Sequence, residues 1–185
     1  MREPTRYFGY GENTSQEMME AIIGRRPKGY VAVAYKWELV VLSWSDIPEM
    51  FKNRLMKRWR FYGGLFEKPS ESSFRTYAIR EAIGEAGDSV VQGYVWLVTQ
   101  KERDLIKEWK LVPRKACSDP SWYAVDEISV NTFFGERTRK ATTEIINQWN
   151  VGKVVDGKNY EKFLNEKYSM LGISRMVRKE ILGEE

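Results

Sequence analysis

The sequence of 185 residues contains no histidine and a single cysteine, Cys117. Without histidine, the chain cannot form a Ser-His-Asp or Cys-His nucleophilic system, or a zinc site with imidazole ligands. One cysteine excludes an intramolecular disulfide and any site held by several cysteines. Acid and base catalysis would therefore depend on Asp, Glu, Lys, Tyr or water.

Long apolar runs are also missing. No stretch approaches the roughly 20 residues that cross a bilayer, and residues 1–6 lack the apolar segment of a signal peptide. Together with the single thiol, these absences predict a cytoplasmic protein with no membrane partner.

The composition that remains, 42% apolar and 30% charged, is typical of a globular protein. The length predicts one domain over residues 1–185. Strand-like patterns cover residues 6–10, 29–44 with a bend midway, 74–80, 90–98, 122–130 and 139–149. The last two segments resemble a hairpin, although its second arm could be helical. Capping boxes at Thr14/Glu17, Asp46/Glu49 and Thr99/Glu102 predict three helices, and apolar stripes after 159 and after 172 predict more. This pattern indicates an α+β fold.

The net charge is +4, and the one dense basic run, residues 51–60, has five cations and no acid. Its simplest interpretation is an amphipathic helix that buries Phe51, Leu55 and Trp59 and exposes its charges. The alternative is a surface that binds nucleic acid or an acidic protein, formed by Arg54, Lys57, Arg58 and Arg60.

The segment from Tyr7 to Thr14 combines a strand that ends near Gly11 with the start of a helix. Backbone N–H groups at such a junction can hold a carboxylate, a phosphate or an oxyanion. A purely structural turn is the alternative. Weaker candidates for chemistry or for a pocket wall are Cys117, Glu81, Glu85, Trp44, Tyr62, Phe66 and Tyr94.

Residues 7–13, Tyr-Phe-Gly-Tyr-Gly-Glu-Asn, resemble the Tyr-Phe-x-Tyr-Gly-Ser-Asn opening of the gamma-glutamylcyclotransferase superfamily. Further similar blocks follow in the order of that family. They are Gly-Arg-Arg-Pro at 24–27, Val-Gln-Gly-Tyr-Val-Trp at 91–96, Leu-Ile-Lys-Glu-Trp-Lys at 105–110, Trp-Tyr-Ala-Val at 122–125 and the closing segments at 160–164 and 172–173.

This resemblance implies a mainly antiparallel, barrel-like sheet with flanking helices, and a loop whose amides bind a gamma-glutamyl group. The ligand-binding residues would be Tyr10, Gly11, Asn13 and Tyr123. In active members, a helix glutamate takes a proton from the α-amine, which attacks the δ-carbonyl and yields 5-oxoproline. That reaction uses no metal and no cofactor, and we expect neither here.

The sequence departs from the family at the decisive positions. Lys110 stands where the resemblance implies the catalytic glutamate, Lys107 replaces an aspartate, and Glu12 replaces the loop serine. A protonated lysine only donates hydrogen bonds, and a lysine base requires its pKa to be lowered from about 10.4 towards 7.

Two interpretations follow from these departures. The protein either binds a small anionic or gamma-glutamyl ligand without turnover, or it is an atypical cyclotransferase. In the second case, Glu12 would supply the carboxylate and Lys110 would be its ion partner or would stabilise the oxyanion, while Glu108 is a poorer substitute because it points about 200° away. A solvated Lys110 on an exposed helix face is the structural alternative.

Overall fold

The computed structural model describes residues 4–62, 67–82, 89–112, 123–132, 138–146, 152–154 and 171–183. Eight strands lie in these segments: β1 (Thr5–Gly9), β2 (Lys28–Tyr35), β3 (Trp37–Ser43), β4 (Arg75–Glu81), β5 (Val90–Val98), β6 (Tyr123–Thr132), β7 (Thr138–Ile146) and β8 (Lys153–Val154). The α-helices of the same segments are α1 (Gln16–Ile23), α2 (Glu49–Phe61), α3 (Gln100–Trp109) and α4 (Leu171–Leu182).

Five strands close into a barrel in the order β1-β5-β2-β6-β7. The neighbouring pairs in this order are antiparallel, and a parallel contact between Tyr7 of β1 and Thr142 of β7 completes the ring. Strand β7 also pairs in parallel with β4, at Ile145 and Ile79, so that β4, β3 and β8 extend the sheet beyond the barrel. The predicted α+β fold with a mainly antiparallel, barrel-like sheet is confirmed.

The barrel and the helices bury separate apolar clusters. Alternate residues of the strands point into the barrel, as the two-residue repeat of a strand requires, and include Phe8, Val95 and Val130. Outside it, α1, α3 and α4 pack together around a cluster that includes Met18, Met19, Ile22, Ile106, Trp109 and Val177. Helix α3 thus lies against one end and one side of the barrel. The site described below is formed where they meet.

Several local predictions agree with the structure. Thr99 and Glu102 form a complete capping box at the start of α3. Residues 29–44 divide into two strands at Lys36, which has a positive φ of 67°. The hairpin of β6 and β7 is present, with a strand as its second arm, and its turn lies outside the described residues. The turn predicted at 84–88 and the stripe after 159 also lie outside them.

Other local predictions are wrong. Helix α1 is capped by Ser15, whose hydroxyl accepts from the Met18 amide, because Thr14 belongs to a preceding 3₁₀ turn. Helix α2 begins after Pro48, while Asp46 forms its capping box with Ser43 instead.

Two apolar stripes are also less buried than predicted. In α2, Phe51, Leu55 and Trp59 are half-buried, because the helix covers only the edge of the core. In α4, Met176 is exposed although Val177 is buried. No helix in the described segments is both long enough and apolar enough to span a membrane.

Candidate functional site

The loop after β1 folds back onto the end of the barrel. Residues Gly11–Thr14 form a 3₁₀ turn, and Gly11 adopts a positive φ of 61° that favours glycine. A side chain at Gly9 would collide with the Asn13 carbonyl oxygen, since its Cβ would lie 2.5 Å away. The turn therefore buries Tyr10, Glu12 and Asn13. The expected direct junction with a helix is wrong, because the Asn13 amide donates to the Tyr10 carbonyl within the turn at 3.2 Å.

Glu12 and Lys110 meet beneath this loop. The Lys110 Nζ lies 3.3 Å from the Glu12 Oε1, and each side chain is only 5% exposed. The ammonium also lies 5.1 Å from the centre of the Tyr10 ring, a distance at which a cation is attracted to an aromatic face. A solvated Lys110 on an exposed helix face is therefore wrong.

A second buried ion pair, which the sequence analysis does not predict, lies beside the first. The Arg103 Nη1 donates to the Glu144 Oε1 at 2.5 Å, with both side chains almost completely buried. The Tyr7 hydroxyl donates to the other Glu144 oxygen at 3.0 Å, and the Arg103 guanidinium lies 4.6 Å from the centre of the Tyr7 ring. Arg103 and Lys110 thus each have a glutamate and a tyrosine among their partners.

Hydrogen bonds join the two ion pairs and hold the loop. The Tyr10 hydroxyl donates to the Glu144 carbonyl at 2.9 Å. The Asn13 Nδ2 donates to the Tyr7 hydroxyl at 2.6 Å, and the Trp96 indole donates to the Asn13 carbonyl at 2.7 Å. All of these residues are buried, and their hydrogen bonds hold the loop against the end of the barrel.

Burial and charge set the protonation states of Tyr7 and Arg103. Burial raises the pKa of Tyr7 well above its usual value, and the negative charge of Glu144 raises it further. Burial by itself would lower the pKa of Arg103, but Glu144 and Tyr7 outweigh that effect and the pKa is raised. Tyr7 is therefore a neutral hydrogen-bond donor and Arg103 a permanent cation at physiological pH.

Buried polar atoms of the network without a hydrogen-bond partner in the described part of the chain include the Asn13 Oδ1, an acceptor, and the Arg103 Nη2, a donor. Buried polar atoms are nearly always paired, so these two are exceptions.

The structure describes only some of the remaining sequence candidates. Glu108 pairs with Arg54 at 3.5 Å. Tyr94 stacks on Trp96, and Trp44 packs edge-on against Phe74. Tyr123 begins β6, but its side chain is outside the described set, as are Phe66, Glu85 and Cys117, while Glu81 is exposed at the end of β4.

The basic run is divided between two roles. The Arg54 Nη1 donates to the Leu111 carbonyl at 2.7 Å, and Arg58 donates to the carbonyls of Trp109 and Glu108 at 2.9 and 2.7 Å. These bonds add side-chain donors to carbonyls at and just beyond the C-terminal end of α3, where helical donors run out, although the Glu108 carbonyl also accepts from the Leu111 amide. Of the four cations in the alternative binding surface, only Lys57 and Arg60 are exposed.

No group of three or more Cys, Asp or Glu side chains within the described segments is arranged to hold a metal ion. The charged groups of the loop site are instead arranged as pairs of opposite sign.

Solved structures provide the comparison, since no protein family model and no curated protein sequence matches the chain. A structure described as a gamma-glutamyl cyclotransferase aligns with a TM-score of 0.54 and 16% identity, over 99% of this chain and 89% of that one. An uncharacterized human protein gives the same score and identity, over 100% and 89%. An Arabidopsis thaliana protein aligns at 0.53 and 12% identity, over 95% and 84%.

This chain has the gamma-glutamyl cyclotransferase fold. The alignments extend over almost its whole length. At 12–16% identity, the likeness concerns the fold. The chemistry has to be argued from the side chains of this chain.

Proposed function

We propose that the protein uses the cyclotransferase fold to bind a small ligand with an α-amino-acid group, such as a gamma-glutamyl compound, without cyclising it. The observation that carries the proposal is the buried contact of 3.3 Å between Lys110 and Glu12. It places a cation and a carboxylate, already paired, beside the loop that the resemblance associates with ligand binding.

The pair argues against the cyclisation reaction. That reaction needs an acceptor for a proton of the ligand's ammonium group, and a lysine ammonium has no lone pair to offer. Glu12 is a carboxylate, but its charge is balanced by Lys110 in a place almost without solvent. Glu12 is therefore already engaged by a cation before a ligand arrives.

The same pair argues for binding an amino-acid group. Such a group carries an ammonium and a carboxylate on one carbon, which match Glu12 and Lys110 respectively. The unpartnered Asn13 Oδ1 adds an acceptor for the ammonium. Charge-assisted hydrogen bonds are each worth about 1.5–3 kcal/mol, and the ligand replaces the existing ion pair, so we expect modest affinity.

The atypical cyclotransferase is the second candidate, and one observation favours it. Glu12 is a buried carboxylate on the loop itself, so a ligand that displaced Lys110 would meet an acid next to its amine. In this scheme, Lys110 would stabilise the negative charge that forms on the attacked carbonyl oxygen.

The two candidates are separated by measuring binding and turnover on the same protein. Calorimetric titration with glutathione and gamma-glutamylalanine measures affinity, and a coupled assay measures 5-oxoproline. We expect binding without 5-oxoproline, and a loss of affinity of about tenfold or more in Glu12→Gln and in Lys110→Gln, equivalent to about 1.4 kcal/mol. The exposed positions Glu20 and Lys101 provide matched Gln controls, which should leave binding unchanged.

Release of 5-oxoproline that disappears in Glu12→Gln would establish the atypical enzyme and contradict the proposal. Binding that is equally strong in the native protein and in Lys110→Gln would show that the ion pair is not the ligand site.

A further inference from the structure

A cleft of about 470 Å³ lies outside the barrel, between α2, α3 and α4. Its volume is within the usual range for small-molecule sites, about 300–1,000 Å³. It shares no lining residue with the loop site, and is lined by Arg54, Lys57, Arg58, Phe61, Tyr62, Glu108, Leu111, Val177 and Ile181.

The charge of this cleft is positive. Among its described lining side chains, three are cations and one, Glu108, is an acid, which gives these residues a formal charge of +2. The C-terminal ends of α2, α3 and α4 reach the cleft at Phe61, Glu108 and Ile181, and their dipoles reduce this positive charge without reversing it. An anion is therefore the ligand that the cleft attracts.

Two of the cations are held in fixed positions. Arg54 and Arg58 are anchored on the carbonyls at the end of α3 at 2.7–2.9 Å. A guanidinium stays positively charged when it is anchored on neutral carbonyls, so both arginines still attract an anion. Because these side chains are ordered before the ligand arrives, binding costs less conformational entropy. Lys57 is exposed at the same cleft and needs no rearrangement to approach an anion.

The rest of the lining is apolar. Val177 and Leu111 are buried at the base of the cleft, and Phe61, the last residue of α2, is 66% exposed at its edge. Covering this exposed phenyl ring with an apolar group removes apolar surface from water, which is favourable.

We propose that this cleft is a second binding site, which takes a small amphipathic anion. The anionic head contacts Lys57 and the two anchored arginines, and the apolar body covers Phe61 and Ile181. The proposal is independent of the function proposed for the loop site. The proposal also differs from the nucleic-acid or acidic-protein surface considered for the basic run. Arg60 lies outside the cleft, and a small ligand contacts only one side of α2.

The test is a fluorescence titration of the full chain with 8-anilinonaphthalene-1-sulfonate, an aromatic sulfonate. We expect one saturable site. Lys57→Gln should weaken binding about two- to fivefold, as the loss of one exposed charge contact predicts. Phe61→Ser should weaken it by about tenfold through lost apolar contact. Both positions are exposed, so circular dichroism should show an unchanged fold.

The controls are matched on the same helix. Arg60→Gln removes a cation and Met50→Ser removes an exposed apolar side chain, and neither lines the cleft, so both should bind the probe like the native protein. Decanoate should displace the probe, whereas inorganic phosphate at the same concentration should not.

Three results would overturn the proposal. The first is an absence of saturable binding. The second is an equal loss of affinity in Arg60→Gln and Lys57→Gln, or displacement by an oligothymidylate, either of which would indicate a polyanion-binding surface. The third is a loss of probe binding in Glu12→Gln, which would place the probe at the loop.

Discussion

Replacing Glu144 with glutamine removes a negative charge from a position with no solvent contact and leaves the Arg103 guanidinium without its counter-ion. Removing one partner of a buried ion pair commonly costs 3–5 kcal/mol. Glutamine has the same shape as glutamate and still accepts a hydrogen bond from Tyr7 or Arg103. We therefore expect a cost at the lower end of this range, about 3 kcal/mol. For a chain of this size, that loss lowers the Tm by about 6–12 °C.

A double-mutant cycle separates the charge effect from a loss of packing. Arg103→Met leaves Glu144 without its cation and should cost a similar amount. The double variant has no unpaired charge, so its cost should be smaller than the sum of the two single costs by about 2 kcal/mol or more. Urea unfolding followed by tryptophan fluorescence measures all four proteins.

The control cycle uses the pair Asp104 and Lys107, which lies on the outer side of the same helix at 3.7 Å. Exposed pairs couple by about 0.5 kcal/mol or less, so Asp104→Asn and Lys107→Gln should be additive within error. The reasoning is refuted if Glu144→Gln costs less than about 1 kcal/mol, or if the Arg103 and Glu144 variants are as additive as the control pair.

Arg58→Gln should lower the free energy of unfolding by about 1–2 kcal/mol, because it removes hydrogen bonds to two carbonyls at the end of α3. Arg60→Gln on the same helix should change that free energy by less than about 0.5 kcal/mol. Equal effects of the two substitutions in urea unfolding would contradict the capping role of Arg58. For Glu102, burial alone would raise the pKa, but hydrogen bonds from Arg25 and Thr99 outweigh it and the pKa is lowered below 4.5. Its carboxylate therefore stabilises the fold above the unfolded pKa, and this contribution is lost as the pH falls through the folded value. The difference in stability between the native protein and Glu102→Gln should be about 1 kcal/mol at pH 7 and should disappear once the pH is below the folded pKa, and a difference independent of pH would argue against this account.

Elements with complete local signals could be predicted from the sequence. The Thr99 and Glu102 capping box and the apolar run of β5 each contain, within a few residues, all the groups that define the element. The caps of α1 and α2 were misplaced because serine, threonine and aspartate occur next to one another there, and any of them can accept from a helix amide. The choice between such neighbours depends on the entry angle of the chain, which the barrel sets.

The buried charges could be predicted only in part. Glu12 and Lys110 stood out because they replace the residues that the resemblance implies. Arg103 and Glu144 are 41 residues apart in sequence, and charged side chains are rarely buried unless they are paired. A signal for Arg103 exists in retrospect, since it is three residues before Ile106 and seven before Lys110, on one face of α3. The anchoring of Arg54 and Arg58 had no such signal, because nothing local indicates that the end of α3 lies beside α2.

Helix α3 explains why the two departures at the loop occur together. Arg103 and Lys110 lie on one face, two turns or about 10.5 Å apart, and each meets a carboxylate of the barrel end. A glutamate at position 110, opposite Glu12, would bring two carboxylates close together in a buried place. Two like charges about 4 Å apart repel by about 4 kcal/mol at an effective dielectric constant of 20, a large part of the 5–15 kcal/mol that stabilises a typical fold. A carboxylate on the loop therefore requires a cation at the end of α3, so the acid on the loop and the lysine on the helix form one electrostatic unit.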